Sequence, residues 1–181
     1  IPWAHLDPAF AKYQLLVLLR EWFLHPNGAL PAYEWSFDDV NPPVHAFAAL
    51  RVFHIDGDRD IEFIERAFQK LLLNFMWWVN HFDADGDNLF GGGFLGLDNI
   101  SPIDRSHLPP GARLEQADGS AWVAFNTLNL LAMAVRLADH DDVYDDLVVT
   151  FFERFVAVTR AINRAGIYDP GRGFFYDRMV T

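Results

Sequence analysis

Five stretches of the chain repeat apolar residues at the spacing of one helix face. The clearest runs from Ile61 to His81, where Ile61, Ile64, Phe68, Leu71, Leu72, Phe75 and Val79 keep a helical period. The first helix opens at Asp7-Pro8, an N-cap followed by proline at the first helical position. It is predicted to run to Leu24, where His25-Pro26-Asn27-Gly28 stops it. Asn41-Pro42-Pro43 opens a second helix over Val44 to His54, closed by Gly57. A fourth is expected from Asp118 or Ser120 to Ala138, and a fifth from Val143 to Asn163, ended by Gly166.

The polar positions divide these helices into two kinds. The first, third and fifth each carry a charged face, with Lys12, Arg20 and Glu21, then Glu62, Glu65, Arg66 and Lys70, then Asp145, Asp146, Glu153, Arg154 and Arg160. The second and fourth hold only Arg51 and Arg136. A helix apolar or neutral nearly all round is one that neighbours cover on every side, so the order reads outer, inner, outer, inner, outer. Connections alternate with it. Links from inner to outer helices are short, at Asp56 to Asp60 and Asp139 to Asp142, whereas Pro26 to Pro43 and Phe82 to Ala117 are long. Every long loop then lies at the same end. This is an all-α, helix-pair layout of the (α/α) barrel kind, with about two pairs and one further outer helix. A solenoid of helix pairs that binds other proteins is the competing architecture, but solenoids keep a fixed period and short loops. Here the stop signals at Gly28, Gly86 and Gly166 are unevenly spaced.

Composition narrows the function classes. With 181 residues, 51% of them hydrophobic, the chain suffices for one domain with a substantial core. A net charge of −11 with no basic cluster argues against nucleic-acid binding. No cysteine is present, which excludes disulfides and thiolate chemistry and fits a reducing, cytoplasmic setting. No apolar stretch is read as a membrane span, and no signal peptide is seen. The chain opens on Ile1-Pro2-Trp3 and not Met, so a preceding segment is expected. No P-loop, dinucleotide fingerprint or zinc-type histidine spacing suggests a cofactor, and none is expected. Asp83-Ala84-Asp85-Gly86-Asp87-Asn88 opens like a calcium loop, but Asn88 and Phe94 stand where an EF-hand needs Gly and Glu. It is read as an Asp/Gly turn, with no metal expected.

Candidate chemistry concentrates in the long loops. Asp98 lies in Gly93-Phe94-Leu95-Gly96-Leu97-Asp98-Asn99, among glycines and apolar neighbours. Desolvation there would raise its pKa toward that of a general acid, although a turn-capping role fits the same spacing. Trp35, with Tyr33 and Glu34, either stacks on a sugar ring or anchors the first loop. Glu115 and Asp118 precede and begin the fourth helix, where they either bind hydroxyl groups or simply complement the helix N-terminus.

The run Gly96-Leu97-Asp98-Asn99, with Asp104-Arg105 downstream, is similar to the Gly-x-Asp signature of glycoside hydrolase family 63 and related trehalases. Asn41-Pro42-Pro43 resembles that family's Gln-Pro-Pro element, with Asn in place of Gln, and Ile100 stands where the signature often has Ser. Three further stretches resemble its bacterial branch, namely Tyr33 to His45, Glu115 to Trp122 and Gly173 to Asp177. The resemblance covers nearly the whole chain and implies part of a single (α/α)6 barrel catalytic domain over residues 1–181. It implies an inverting α-glycosidase acting on a glucoside or mannoside, with Asp98 as general acid. The general base is then a Glu outside this stretch. Tyr33, Glu34, Trp35, Asn41, Asn99, Arg105, Glu115, Gln116 and Asp118 become the expected substrate-binding residues. The expected partners are a carbohydrate and the remainder of the same barrel, with no nucleic acid and no membrane. A terpene-type barrel is the rival enzyme class, but Asp38-Asp39 and Asp141-Asp142 are better read as a loop and a helix cap. A helical-repeat binding module without catalysis is the non-enzyme rival.

Overall fold

The structure is a computed structural model that describes residues 1–20, 23–33, 36–83, 85–93, 95, 103–105 and 107–181. Five α-helices carry it: α1 (Pro8–Leu18), α2 (His45–Ile55), α3 (Ile61–Phe82), α4 (Ala117–Ala138) and α5 (Asp145–Arg164). Asp7 caps α1 by accepting from the Phe10 N–H, and Asp60 caps α3 by accepting from the Phe63 N–H. α1 stops at Leu18 and not at Leu24. The Leu19 N–H still reaches Leu15, but the Arg20 N–H bonds the Val17 carbonyl, a tighter turn that ends the α-helix.

α2 and α4 lie side by side, with Phe47 and Phe125 ring to ring at 5.4 Å. α3 packs across both and meets α5 through aromatic edges, Phe75 against Phe151 at 5.1 Å and Phe68 against Phe151 at 5.9 Å. The Tyr144 hydroxyl, just before α5, donates to Glu65 of α3 at 2.7 Å. The inner and outer assignment of the five helices therefore holds. The main core joins Phe53, Ile64, Phe68, Leu71, Leu130, Met133 and Phe151, all essentially inaccessible to solvent. A second cluster, Ala29, Val40, Trp78, Phe90, Leu95 and Val123, lies under the long loops and gathers them at one end. At the other end the short links are cross-tied: Lys12 pairs with both Asp56 and Asp60, and Arg136 reaches Asp58 at 3.6 Å.

Two expectations need correction. By length and hydropathy α4 is apolar enough to cross a membrane, contrary to the reading that no stretch is. Its place against α2, α3 and α5 accounts for that apolarity. It is also not covered on every side, because Leu128 and Val135 are exposed along a groove of about 440 Å³ between α2 and α4. Second, the long loops contain short antiparallel ribbons: β1 (Pro31–Tyr33) with β2 (Ser36–Val40), β3 (Arg113–Glu115) with β6 (Arg178–Val180), and β4 (Tyr168–Asp169) with β5 (Phe174–Phe175). Strands of two to five residues are too short to show a period of two. β3 and β6 also come from opposite ends of the α4–α5 hairpin.

Candidate active site

The loop end is organised around the first turn of α4. Gln116, immediately before the helix, is 1% exposed. Its side chain is engaged at both ends: Oε1 accepts from the Gly93 N–H at 2.8 Å, and Nε2 donates to the Gly93 carbonyl at 2.9 Å. Its backbone N–H donates to Phe90, while the Phe90 N–H donates to Ser120 Oγ at 2.9 Å. The helix and the loop approach so closely that a Cβ on Gly119 would lie 2.6 Å from the Gly91 carbonyl oxygen. One arm of the second long loop is thus fastened, backbone and side chain, onto α4.

The other arm is held by charge. Arg105 forms a two-pronged contact with Asp118, 2.9 Å on the Nη1 side, and its Nη2 lies 3.2 Å from Asp177. Its side chain is only 8% exposed. Burial disfavours the charged guanidinium, but the two carboxylates outweigh that penalty and raise its pKa above the ordinary value. Its Nε is buried without a hydrogen-bond partner among the described residues. Asp177 also accepts from the Ala117 N–H at 2.9 Å, so one carboxylate serves both the helix terminus and the arginine.

Beside this lies a second charged group. Glu115, buried on β3, accepts from Arg178 on β6 at 2.5 Å, and Arg178 also lies 3.7 Å from Asp87. Burial pushes the Glu115 carboxyl upward, and Arg178 only partly offsets it. Asp85, Asp87 and Glu115 bring one oxygen each within 4.8 Å of one another, beside a cavity of about 160 Å³. Arg113 pairs with Asp85, so arginines supply positive charge to all three. The turn itself is closed by Asp83, which accepts from the Asn88 N–H, and by Asp87, which accepts from the Leu89 N–H.

Of the residues expected to bind substrate, Arg105, Glu115, Gln116 and Asp118 converge here. Asn41 lies after the β1–β2 ribbon, where its Nδ2 donates to the Pro31 carbonyl at 3.3 Å. Tyr33 ends β1 and is 53% exposed. Glu34, Trp35, Asp98 and Asn99 lie outside the described residues. Sequence reasoning did not single out Ser120, Asp177 or Arg178, whose roles depend on partners far along the chain. It also passed over His45, the first residue of α2. The Nδ1 of His45 is buried without a partner among the described residues, and burial lowers the ring's pKa and favours the neutral form. Its position directly after Asn41-Pro42-Pro43-Val44 was the available signal.

Comparison with known proteins gives this arrangement a context. Residues 1–93 match the family model described as the mannosylglycerate hydrolase MGH1-like glycoside hydrolase domain. The chain is 54% identical over 168 residues to the uncharacterized protein YMR196W of Saccharomyces cerevisiae, covering 90% of this chain and 15% of that protein. A crystal structure of an uncharacterized conserved protein from Thermus thermophilus superposes with a TM-score of 0.74 at 20% identity, over 97% of this chain and 55% of that one. The GH63 mannosylglycerate hydrolase of the same organism, solved in complex with glucose, gives 0.70 at 18% identity, over 97% and 58%. Its complex with Tris and D-glycerate gives 0.71 at 19%. The chain therefore spans a small part of its yeast relative and just over half of the solved chains.

Proposed function

Because the chain belongs to the mannosylglycerate hydrolase MGH1-like glycoside hydrolase family, we propose that the whole protein is an inverting α-glycosidase and that Asp98 is its general acid. In this reading the Asp98 carboxyl gives its proton to the glycosidic oxygen as the bond from that oxygen to the anomeric carbon breaks. A Glu outside residues 1–181 takes a proton from the water that adds to the opposite face of the sugar. The substrate is a glucoside or mannoside in an oligosaccharide or small glycoside. No cofactor enters the reaction. We propose a cytoplasmic location, with which the absence of cysteine is compatible, and cell fractionation would test it.

The observation that carries the reading is the anchoring of the loop in which Asp98 lies. On one side Gln116 and Ser120 hold residues 90–93, and on the other Asp118 holds Arg105. These contacts concern the described residues that flank the acid in sequence, and in this reading they supply the two ends of its loop. Gln116 and Asp118 act in this reading as loop anchors, since their polar atoms are already engaged. Sugar contact falls to the exposed first-loop residues, including Tyr33.

In the full-length protein Asp98→Asn keeps the side-chain volume and removes the proton. Turnover on an unactivated disaccharide should fall about 100- to 10,000-fold, with a much smaller loss on a glycosyl fluoride. Near-normal turnover of the disaccharide would remove Asp98 from this role. Proton NMR of the first-formed sugar should show the anomer opposite to that of the substrate, and retention would refute inversion.

A further inference from the structure

Both inner helices begin at the loop end, and both carry rings near their starts: Phe47 on α2, Trp122 and Phe125 on α4. Phe47 meets Phe125 at 5.4 Å, and Phe125 meets Trp122 edge to face at 5.9 Å. The three rings, each half-buried, thus form a chain from one inner helix to the other. Farther from the loops, the apolar lining of the groove between the same helices is aliphatic, with Leu50, Leu128, Leu131 and Val135. Apolar burial is non-directional and gives no reason for rings to gather at the loop end alone.

Trp122 is the ring closest in sequence to the candidate site. It lies one turn after Asp118 on the same side of α4. Helical side chains lean toward the helix N-terminus, which here is the loop end. Part of the indole packs on the cluster beneath the loops, and the rest stays uncovered. Asp118, paired with Arg105, supplies a charged border one turn away. A pyranose carries an apolar C–H face and a rim of hydroxyl groups, and the electron-rich face of an indole complements those C–H hydrogens. The stretch from Glu115 to Trp122, noticed in the sequence, ends on this residue.

We propose that Trp122 is a substrate-binding residue on whose indole one pyranose ring of the substrate stacks, in addition to any contact from the first loop. Phe125, backed by Phe47, holds the indole in place. The inference rests on the glycosidase reading for its ligand class, and it concerns binding, not proton transfer.

The test uses the full-length protein with Trp122→Tyr, Trp122→Leu and Phe125→Leu. Binding of glucose, mannose and an α-linked disaccharide of each is measured by calorimetry, with kcat and KM for hydrolysis. Trp122→Leu keeps an apolar side chain but loses the ring, and should raise Kd and KM about 10-fold with kcat little changed. Trp122→Tyr should restore most of the affinity, and Phe125→Leu should give a smaller loss than Trp122→Leu. Hydroxyl-radical footprinting of the wild-type protein should show Trp122 protected by bound sugar, a readout that survives if Trp122→Leu does not fold. Unchanged affinity in Trp122→Leu, equal losses in the Tyr and Leu variants, no protection of Trp122, or no binding of any of these sugars would overturn the proposal. Sugar that binds and protects Trp122 but is never cleaved would uphold it while the hydrolase reading fails.

Discussion

The two long loops at the head of the molecule are secured in different ways. The first, between α1 and α2, is tied at its base to an outer helix. Asn74 of α3 donates to the Gly28 carbonyl at 2.8 Å, and beyond it the β1–β2 ribbon satisfies the backbone within the loop itself. The second, between α3 and α4, is tied to the inner helix it leads into, through Gln116, Asp118, Gly119 and Ser120 on one turn. The ribbon's own pairing sets its shape, and Val40 at its end seats it on the cluster beneath the loops. A loop stitched to an inner helix inherits the position of that helix. By sequence the candidate acid lies in the second loop, and the exposed Tyr33, expected to bind substrate, in the first.

The largest effect that tests this contrast is expected at Gly28. Its φ is +99°, and an added Cβ would lie 2.2 Å from the Leu73 carbonyl oxygen, which is backbone and has little freedom to move. Gly28→Ala should cost about 2–5 kcal/mol in thermal or denaturant unfolding, combining backbone strain with overpacking. Activity of the molecules that still fold should not depend on the leaving group. A leaving-group dependence would mean that the first loop also positions the acid.

Gly119→Ala should have a smaller effect on stability and a sharper one on chemistry. Alanine gains about 1 kcal/mol of helix propensity over glycine. Against that stand contacts of 2.6 Å with Gly91 O and 3.0 Å with Phe90 O. Neither oxygen belongs to a flexible side chain, so overpacking wins, and a net loss of about 1–3 kcal/mol is expected. The loop must shift away from α4, so disaccharide turnover should fall more than fluoride turnover. An unchanged ratio of the two would show that the close contact does not govern the loop's placement.

The smallest effect is a pH slope. The folded-state pKa of Glu115 lies above that of the unfolded chain, because burial outweighs Arg178. The native state therefore holds this proton more tightly. Its stabilising contribution is complete below the unfolded pKa and is lost as pH rises through the folded value. Melting temperature followed upward from about pH 4.5 should decline less steeply in Glu115→Gln than in wild type. A steeper decline in the variant would reverse the sign assigned to this group.

The helices were legible because periodicity and end signals are local. Asp7-Pro8, Asp60 and Gly166 mark boundaries within a residue or two of those observed. Ranking inner against outer helices also worked, since α2 and α4 carry so few charges. The short ribbons and the early end of α1 were not legible, because neither leaves a repeated pattern. At the site the residue types were visible and the partners were not. Glu115 and Asp118 stood out at the start of the fourth helix, either as sugar ligands or as ordinary helix-terminus charge, and Gln116 and Arg105 entered through the family resemblance. In the structure Gln116 is spent on Gly93, Asp118 on Arg105 and Glu115 on Arg178.

The amino-acid order by itself determined which segments are helical, which of those helices are interior, and that the long loops share one end. Those properties follow from interactions between residues a few positions apart and from the apolar area each segment must hide. Only the tertiary structure decided that Asp177 meets Arg105 and caps α4, that Arg178 pairs with Glu115, and that Gly119 lies against Gly91. Those pairs join elements whose separation along the chain carries no information about distance. They exist because α4 and α5 pack as a hairpin that returns the chain to the end where α4 began.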